Sequence, residues 1–261
     1  MIYDTLKKLD ILTTKDFSID WTKPLFIAGP CTFGSYEELK EIAYELKKRN
    51  IQFLRAGAFK LRTNPYSFQG LGDKGMEMLI QLKKEVGIHI VVELTTIEQV
   101  HKYAKEIDII QIGTRNMYNY ELLKEVGKTD TPVLLKRAAS ASYEEWFLAA
   151  EYILKEGNQN VILCERGIKN LFSNETRNTL DIQAIPYIQK HTNFRIIIDP
   201  SHASGHAYMV SSMSKASLVA GCDGLLLEVH THPDKSLCDS DQTIDFTILD
   251  KILAFAKAYK C

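Results

Sequence analysis

A single (β/α)8 TIM barrel with a short N-terminal extension is the fold this sequence predicts, on three observations. Eight short apolar runs recur along the 261 residues, and each closes within a residue or two on a polar or charged side chain. Between the runs lie segments whose apolar residues return at three- and four-residue intervals, the spacing of amphipathic helices. Near-continuous apolar runs suit parallel strands buried on both faces, and eight strand–helix units fit the length of one such barrel.

Taken in order, residues 1–24 hold an amphipathic piece (1–9), a polar stretch around Thr13 and Thr14, and a Trp21-to-Pro24 turn. They are too short for a regulatory domain and are expected to cap the barrel's bottom, with 25–261 forming the catalytic barrel. The first strand is expected at 25–31 and its helix at 35–48; the second strand, 53–58, runs into a turn-rich loop containing Pro65 and a helix over 73–85. Runs at 90–93, 109–114 and 133–137 supply strands three to five, the last followed by a helix over 143–155. Runs at 161–166, 195–199 and 224–228 complete the eight. No Pro/Gly/Ser-rich linker or charge block divides them, so one barrel domain is expected.

Composition excludes several functions. A net charge of -1 and the absence of a basic stripe interleaved with aromatics argue against a nucleic-acid partner. No signal-peptide pattern is present, and no apolar run approaches the roughly 20 residues of a membrane span, so a cytoplasmic protein without a membrane partner is expected. The five cysteines contain no CxxC pair, which fits reduced thiols rather than a disulfide framework. Cys164 and Cys222 look like small core residues, and Cys261 is a tail residue without a role.

Positive charge gathers where a barrel keeps its chemistry. Arg55, Lys60, Arg62, Arg115, Lys136, Arg137 and Arg166 all lie at or just beyond strand ends, although Lys and Arg usually decorate helix exteriors. On a barrel top they would converge. Two phosphates and a carboxylate carry about four to five negative charges, so the cluster suits two anionic substrates. The competing expectation is that some of these cations pair with Glu93, Glu165 or Asp199.

A second constellation suits a metal. Cys31 ends the first strand, His202 follows the seventh in DPSH (199–202), Glu228 ends the eighth, and Asp239 closes the loop HTHPDKSLCD (230–239). Strands one, seven and eight are neighbours in a barrel. One thiolate, one imidazole and two carboxylates favour Mn, Fe, Co or Zn over Mg. His206, His230 and His232 compete as ligands. GLGDKG (70–75) is a literal GxGxxG with Glu93 about 20 residues on, but a loop rather than a strand precedes it, so these glycines are expected to turn the chain into a helix, not to bind a dinucleotide.

IAGPC (27–31), FLRAGAFKLRT (53–63), PYSFQGLG (65–72), QIGTRN (111–116), LLKR (134–137), ILCERG (162–167), TRNTLD (176–181) and DPSH (199–202) together resemble the 3-deoxy-D-arabino-heptulosonate 7-phosphate (DAHP) synthases. The similarity is to their short microbial branch, type I, which also holds the 3-deoxy-manno-octulosonate 8-phosphate synthases. It implies the same barrel, a divalent metal, and the condensation of phosphoenolpyruvate with erythrose 4-phosphate at the entry to aromatic amino-acid synthesis. By this resemblance Cys31, His202, Glu228 and Asp239 hold the metal. Arg55, Lys60, Arg115, Lys136 and Arg166 hold phosphoenolpyruvate, and Arg62 and Thr63 the phosphate of the aldose. Lys60 and His202 are the residues expected to serve catalysis itself. A homo-oligomer, dimer or tetramer, is implied in the same way.

Departures from the family pattern fall toward the second substrate. Its usual Lys-Pro-Arg-Thr-Ser reads Lys60-Leu-Arg-Thr-Asn64, its Lys-Arg-Gly reads Lys136-Arg-Ala138, a basic residue after DPSH is replaced near His206, and His230-Thr-His-Pro233 stands where proline commonly follows the histidine directly. Leu61, Asn64, Ala138 and His206 therefore leave the aldose open. Octulosonate synthases typically insert a residue between the lysine and arginine of this loop, and its absence favours the four-carbon sugar. Two other classes stay open: a Schiff-base aldolase using Lys136 or Lys60, and a catalytically silent phosphoenolpyruvate-binding protein.

Overall fold

The computed structural model describes residues 1–171 and 175–259; Cys261 lies outside them. Eight parallel strands, β3 (Leu25–Gly29), β4 (Phe53–Arg55), β5 (His89–Glu93), β6 (Ile109–Ile112), β7 (Val133–Lys136), β8 (Val161–Glu165), β9 (Arg195–Ile198) and β10 (Gly224–Glu228), follow one another around the barrel, which β10 closes on β3. Every run expected to be a strand is one.

Alternation along the strands divides the side chains into two cores. Ala28, Leu54, Ile110, Leu135, Leu163 and Leu227 face the surrounding helices. Their neighbours Ile27, Phe53, Val91, Ile109, Leu134, Ile162, Ile197 and Leu226 fill the barrel's lower interior. Period two then fixes what comes next on the inward side. One step up from that layer stand Arg55, Glu93, Gln111, Lys136, Cys164, Asp199 and Glu228, so the interior is apolar below and charged above. Gly29 occupies the remaining inward position, with φ of +148° and the carbonyl oxygen of Arg55 only 2.2 Å from where a Cβ would sit. Any side chain there would push β4 away.

Helices pack outside. α1 (Tyr36–Lys48) is capped by the Ser35 hydroxyl accepting from the backbone of Glu38, and α5 (Tyr143–Lys155) by a reciprocal Ser142–Glu145 box. α2 (Asp73–Val86) follows the glycine-rich turn, whose Gly70 and Gly72 have positive φ. A Cβ on Gly70 would lie 2.2 Å from the carbonyl oxygen of Ala58, so the GxGxxG string serves chain reversal.

Residues 1–24 hold more structure than their sequence pattern signals. β1 (Ile11–Thr13) and β2 (Ser18–Asp20) form an antiparallel hairpin. Leu12 and Ile19 point from it into the lower barrel core together with Trp21, and the Phe17 ring packs edge-on against Phe53 at 5.2 Å. This hairpin plugs the bottom of the barrel. Among the described residues no helix is long and apolar enough to cross a membrane.

Candidate active site

A cavity of about 480 Å³ opens at the C-terminal ends of the strands. Arg55, Lys60, Arg62, Thr63, Arg115, Lys136 and Arg166 line it, as do Cys31, His202 and Asp239. Glu228 lies just beneath, 1% exposed, with its Oε1 accepting from Arg55 Nη1 at 2.8 Å. The predicted cations thus converge, with one exception. Arg137 follows Lys136 in the chain and so points to the opposite face, where it donates to Glu165, Asp181 and the carbonyl oxygen of Ala141 and lies over the Tyr143 ring. It is a structural cation outside the cavity.

Two pairings expected as the competing role do occur, Lys136 with Asp199 and Arg137 with Glu165, and Arg55 pairs with Glu228, a partner the sequence did not suggest. Glu93 instead accepts from Gln111 at 3.0 Å. Of the cavity's predicted cations, Arg62, Arg115 and Arg166 form no ion pair among the described residues, whereas Arg55, Lys60 and Lys136 each do. Arg115 donates to the Thr63 hydroxyl and Arg166 to the carbonyl of His202, each at 3.3 Å. Buried Nη1 of Arg62 has no hydrogen-bond partner among the described residues. A buried guanidinium N–H without an acceptor is costly in isolation, and a phosphate oxygen would satisfy it.

Beside these cations lies the donor cluster. Ligand atoms of Cys31, His202, Glu228 and Asp239 all fall within 4.8 Å of one another. His202 sits on α7 (Pro200–Ser204), where Asp199 caps the helix and also accepts from His202 Nδ1 at 2.7 Å. That bond commits the proton to Nδ1 and frees the Nε2 lone pair, which faces Glu228 Oε1 at 3.1 Å. Lys136 donates to the same Asp199 oxygen at 2.7 Å. Asp239 adopts a left-handed φ of 57°, a conformation Asp tolerates, at the turn that aims its carboxylate inward.

Electrostatics at the two carboxylates favour a bound cation, whereas a hydrogen bond with Cys238 and burial push the Cys31 thiol up, toward its neutral form. Burial works against the charge on Glu228, but neighbouring cations, Arg55 and Lys60 among them, outweigh it and hold the carboxyl below its usual range. Asp239 is likewise lowered despite burial, chiefly by Lys60. Burial pushes the His202 imidazole down, toward the neutral ligand form. Lys60 Nζ reaches into the cluster, donating to Cys31 Sγ and, at 2.6 Å, to Asp239 Oδ2. An ammonium already bridges two of the four donors, so the residues present fit a divalent metal.

Two of the competing histidines are otherwise engaged, and the third, His232, does not line the cavity. His230 meets Glu38 through Nε2 at 2.8 Å and accepts the backbone N–H of His232 at Nδ1, while His206 Nε2 contacts the carbonyl of Glu175 at 2.9 Å. Of the four departing positions, Leu61 and Asn64 line the cavity. Ala138 is buried with its N–H on the sulfur of Met117, and His206 is turned to Glu175, and neither lines the cavity. Arg177 and Asn178 line the cavity as well. They belong to the TRNTLD string, to which sequence assigned no role, and reach the site because their backbone N–H groups bond to the carbonyls of Ser204 and Ala203 at 3.1 and 2.8 Å.

Residues 12–260 match the DAHP synthetase I family. A phospho-2-dehydro-3-deoxyheptonate aldolase of Thermotoga maritima is 44% identical over 227 residues, spanning 87% of this chain and 67% of that protein. A 2-dehydro-3-deoxyphosphooctonate aldolase of Geobacter metallireducens is more distant, 30% identical over 258 residues that span 91% of this chain and 93% of the other. Among solved structures, the Thermotoga maritima DAHP synthase superposes with a TM-score of 0.90 at 42% identity, over 95% of this chain and 72% of that one. A truncated form of 3-deoxy-D-arabino-heptulosonate 7-phosphate synthase from the same organism gives 0.86 at 39%, over 95% and 90% of the two chains.

Proposed function

Because the chain belongs to the DAHP synthetase I family, we propose that it condenses phosphoenolpyruvate with erythrose 4-phosphate to give DAHP and inorganic phosphate, the first step of the shikimate pathway. One observation carries this assignment: a cavity at the barrel mouth is lined by a group of cations and by three of the four clustered donors, with the fourth, Glu228, just beneath it.

Phosphoenolpyruvate lies across Arg55, Lys60, Arg115, Lys136 and Arg166, with the guanidinium forks matched to phosphate and carboxylate oxygens. Arg62 and Thr63 take the aldose phosphate. Seating both anions on these cations places C3 of phosphoenolpyruvate against the aldehyde carbon and lowers the entropic cost of the bimolecular step. C3 forms the new C–C bond, and Lys60, charged and in the cavity wall, donates a proton to the oxygen that was the aldehyde's. Water adds at C2, the C2–O bond to phosphate breaks, and inorganic phosphate leaves as C2 becomes the ketone. When bound, a divalent metal supplies Lewis-acid polarisation of the aldehyde oxygen. Cys31, His202, Glu228 and Asp239 hold it, and their mixed softness favours Mn, Fe, Co or Zn.

Loss of phosphoenolpyruvate absorbance tests the assignment, with purified protein, Mn2+, and erythrose 4-phosphate or arabinose 5-phosphate offered in parallel. Consumption with the tetrose that stops on chelation is expected. Consumption with the pentose alone would move the protein to the octulosonate activity. Turnover that survives chelation and is trapped by borohydride would make it a Schiff-base aldolase.

A further inference from the structure

We infer that Arg177 and Gln242 form one clamp that sets both carboxylate donors, so that Glu228 and Asp239 each turn a single oxygen toward the donor cluster. The inference rests on reading that cluster as a metal site. In Glu228, Oε1 faces the cluster, 2.8 Å from Arg55 Nη1 and 3.1 Å from His202 Nε2, and Oε2 accepts from Nε2 of Gln242. In Asp239, Oδ2 faces Cys31 and Lys60, and Oδ1 is met by Nη1 of Arg177 at 3.4 Å. The same Nη1 donates to Oε1 of Gln242 at 2.9 Å.

Chemistry dictates the direction of this relay. Gln242 is 2% exposed, and its side chain sits between a guanidinium and a carboxylate. Its oxygen must face the cation and its NH2 the anion, because the flipped amide would oppose donor to donor and acceptor to acceptor. Gln242 therefore presents a polarised N–H to Glu228 only while Arg177 holds its oxygen. Arg177 in turn is fixed by its backbone bond to Ser204 and by Gly205, where a Cβ would stand 2.7 Å from Cβ of Arg177. Ser204 ends α7, the helix carrying His202. The clamp thus ties together the segments that bear three of the four donors. Arg177 and Gln242 are positioning residues, acting through Asp239 and Glu228, and outer contacts of this kind commonly tune metal affinity about 10- to 100-fold.

Metal affinity of the chelator-stripped full chain tests the clamp. Co2+ is titrated in competition with a chromophoric chelator, and the thiolate-to-cobalt absorption reports that Cys31 is engaged. Arg177→Met and Gln242→Leu should each weaken Co2+ binding about 10- to 100-fold, with Arg177→Lys recovering part of the loss. The double variant should bind within about twofold of the weaker single variant, because one relay is broken once, whereas independent sites would multiply. Arg177 has a side chain 39% exposed, so Arg177→Met keeps the test valid should Gln242→Leu fold poorly, and metal-free unfolding midpoints monitor folding. Parent-like affinity in Arg177→Met, or losses that multiply, would overturn the clamp alone. A parent protein that binds no Co2+ would overturn the metal reading and the clamp with it.

Discussion

Asp199→Asn isolates the most buried ion pair at the site. Asp199 accepts from Lys136 Nζ and His202 Nδ1, both at 2.7 Å, with side-chain exposures of 1% for Asp199 and 5% for Lys136. Burial opposes its charge, but His202 and Lys136 hold the carboxyl far below its usual range. Asparagine is an equally good N-cap, so the α7 cap is kept and only the charge goes. Stranding the buried ammonium of Lys136 should cost about 3–5 kcal/mol. At about 2–4 °C per kcal/mol for a domain of this size, the unfolding midpoint should fall by ~6–20 °C. The assay is thermal unfolding of metal-free protein, with Lys136→Met and the double variant completing the cycle. Asp199→Asn/Lys136→Met should be more stable than Asp199→Asn, since the stranded cation is gone, yet its metal affinity should stay low because His202 has lost the carboxylate that orients it. A midpoint for Asp199→Asn within about 2 °C of the parent, or strictly additive losses, would refute the argument that this pair is a coupled buried unit.

Other perturbations separate the remaining roles. Cys31→Ala should remove bound metal and turnover together, read by metal analysis and phosphate release; normal turnover would take Cys31 out of the donor set. Arg62→Ala should cost about 1.5–3 kcal/mol of kcat/KM for erythrose 4-phosphate, about 10- to 150-fold, while phosphoenolpyruvate binding measured by calorimetry stays near the parent value. The reverse pattern would exchange the two phosphate subsites. Far from the cavity, Asp108 is lowered despite burial by bonds from His89, the Ile90 backbone N–H and Lys83. A depressed carboxyl stabilises the fold above its unfolded pKa of about 3.9 and loses that contribution as pH falls through the folded value. Asp108→Asn should therefore flatten the decline of unfolding midpoint below about pH 4, and an unchanged slope would remove Asp108 from the acid transition.

All eight barrel strands were legible because each is a compact apolar run; of the four clustered side chains Cys31 and Glu228 stand where such runs end, whereas His202 and Asp239 lie in the segments that follow β9 and β10. Arg137 was misplaced for the same reason. In a parallel barrel both faces of Val133, Leu134 and Leu135 are apolar, so the inward parity that separates Lys136 from Arg137 leaves no pattern in the string. The N-terminal hairpin escaped because three-residue strands are too short to show a period. His202 could be told from His230 only through space, once Asp199 is seen on one ring and Glu38 on the other. Gln242 gave no signal, since its contact with the Arg177 guanidinium joins residues 65 apart in the chain.

A crystal structure with Mn2+ and phosphoenolpyruvate, the metal located by its anomalous scattering, bears most directly on the shared cavity. One peak should lie among Cys31 Sγ, His202 Nε2, Glu228 Oε1 and Asp239 Oδ2, with the phosphate of phosphoenolpyruvate on Arg115, Lys136 and Arg166. A metal bound elsewhere, such as at His230 and Glu38, or the phosphoenolpyruvate phosphate seated on Arg62, would contradict the assignment of the site.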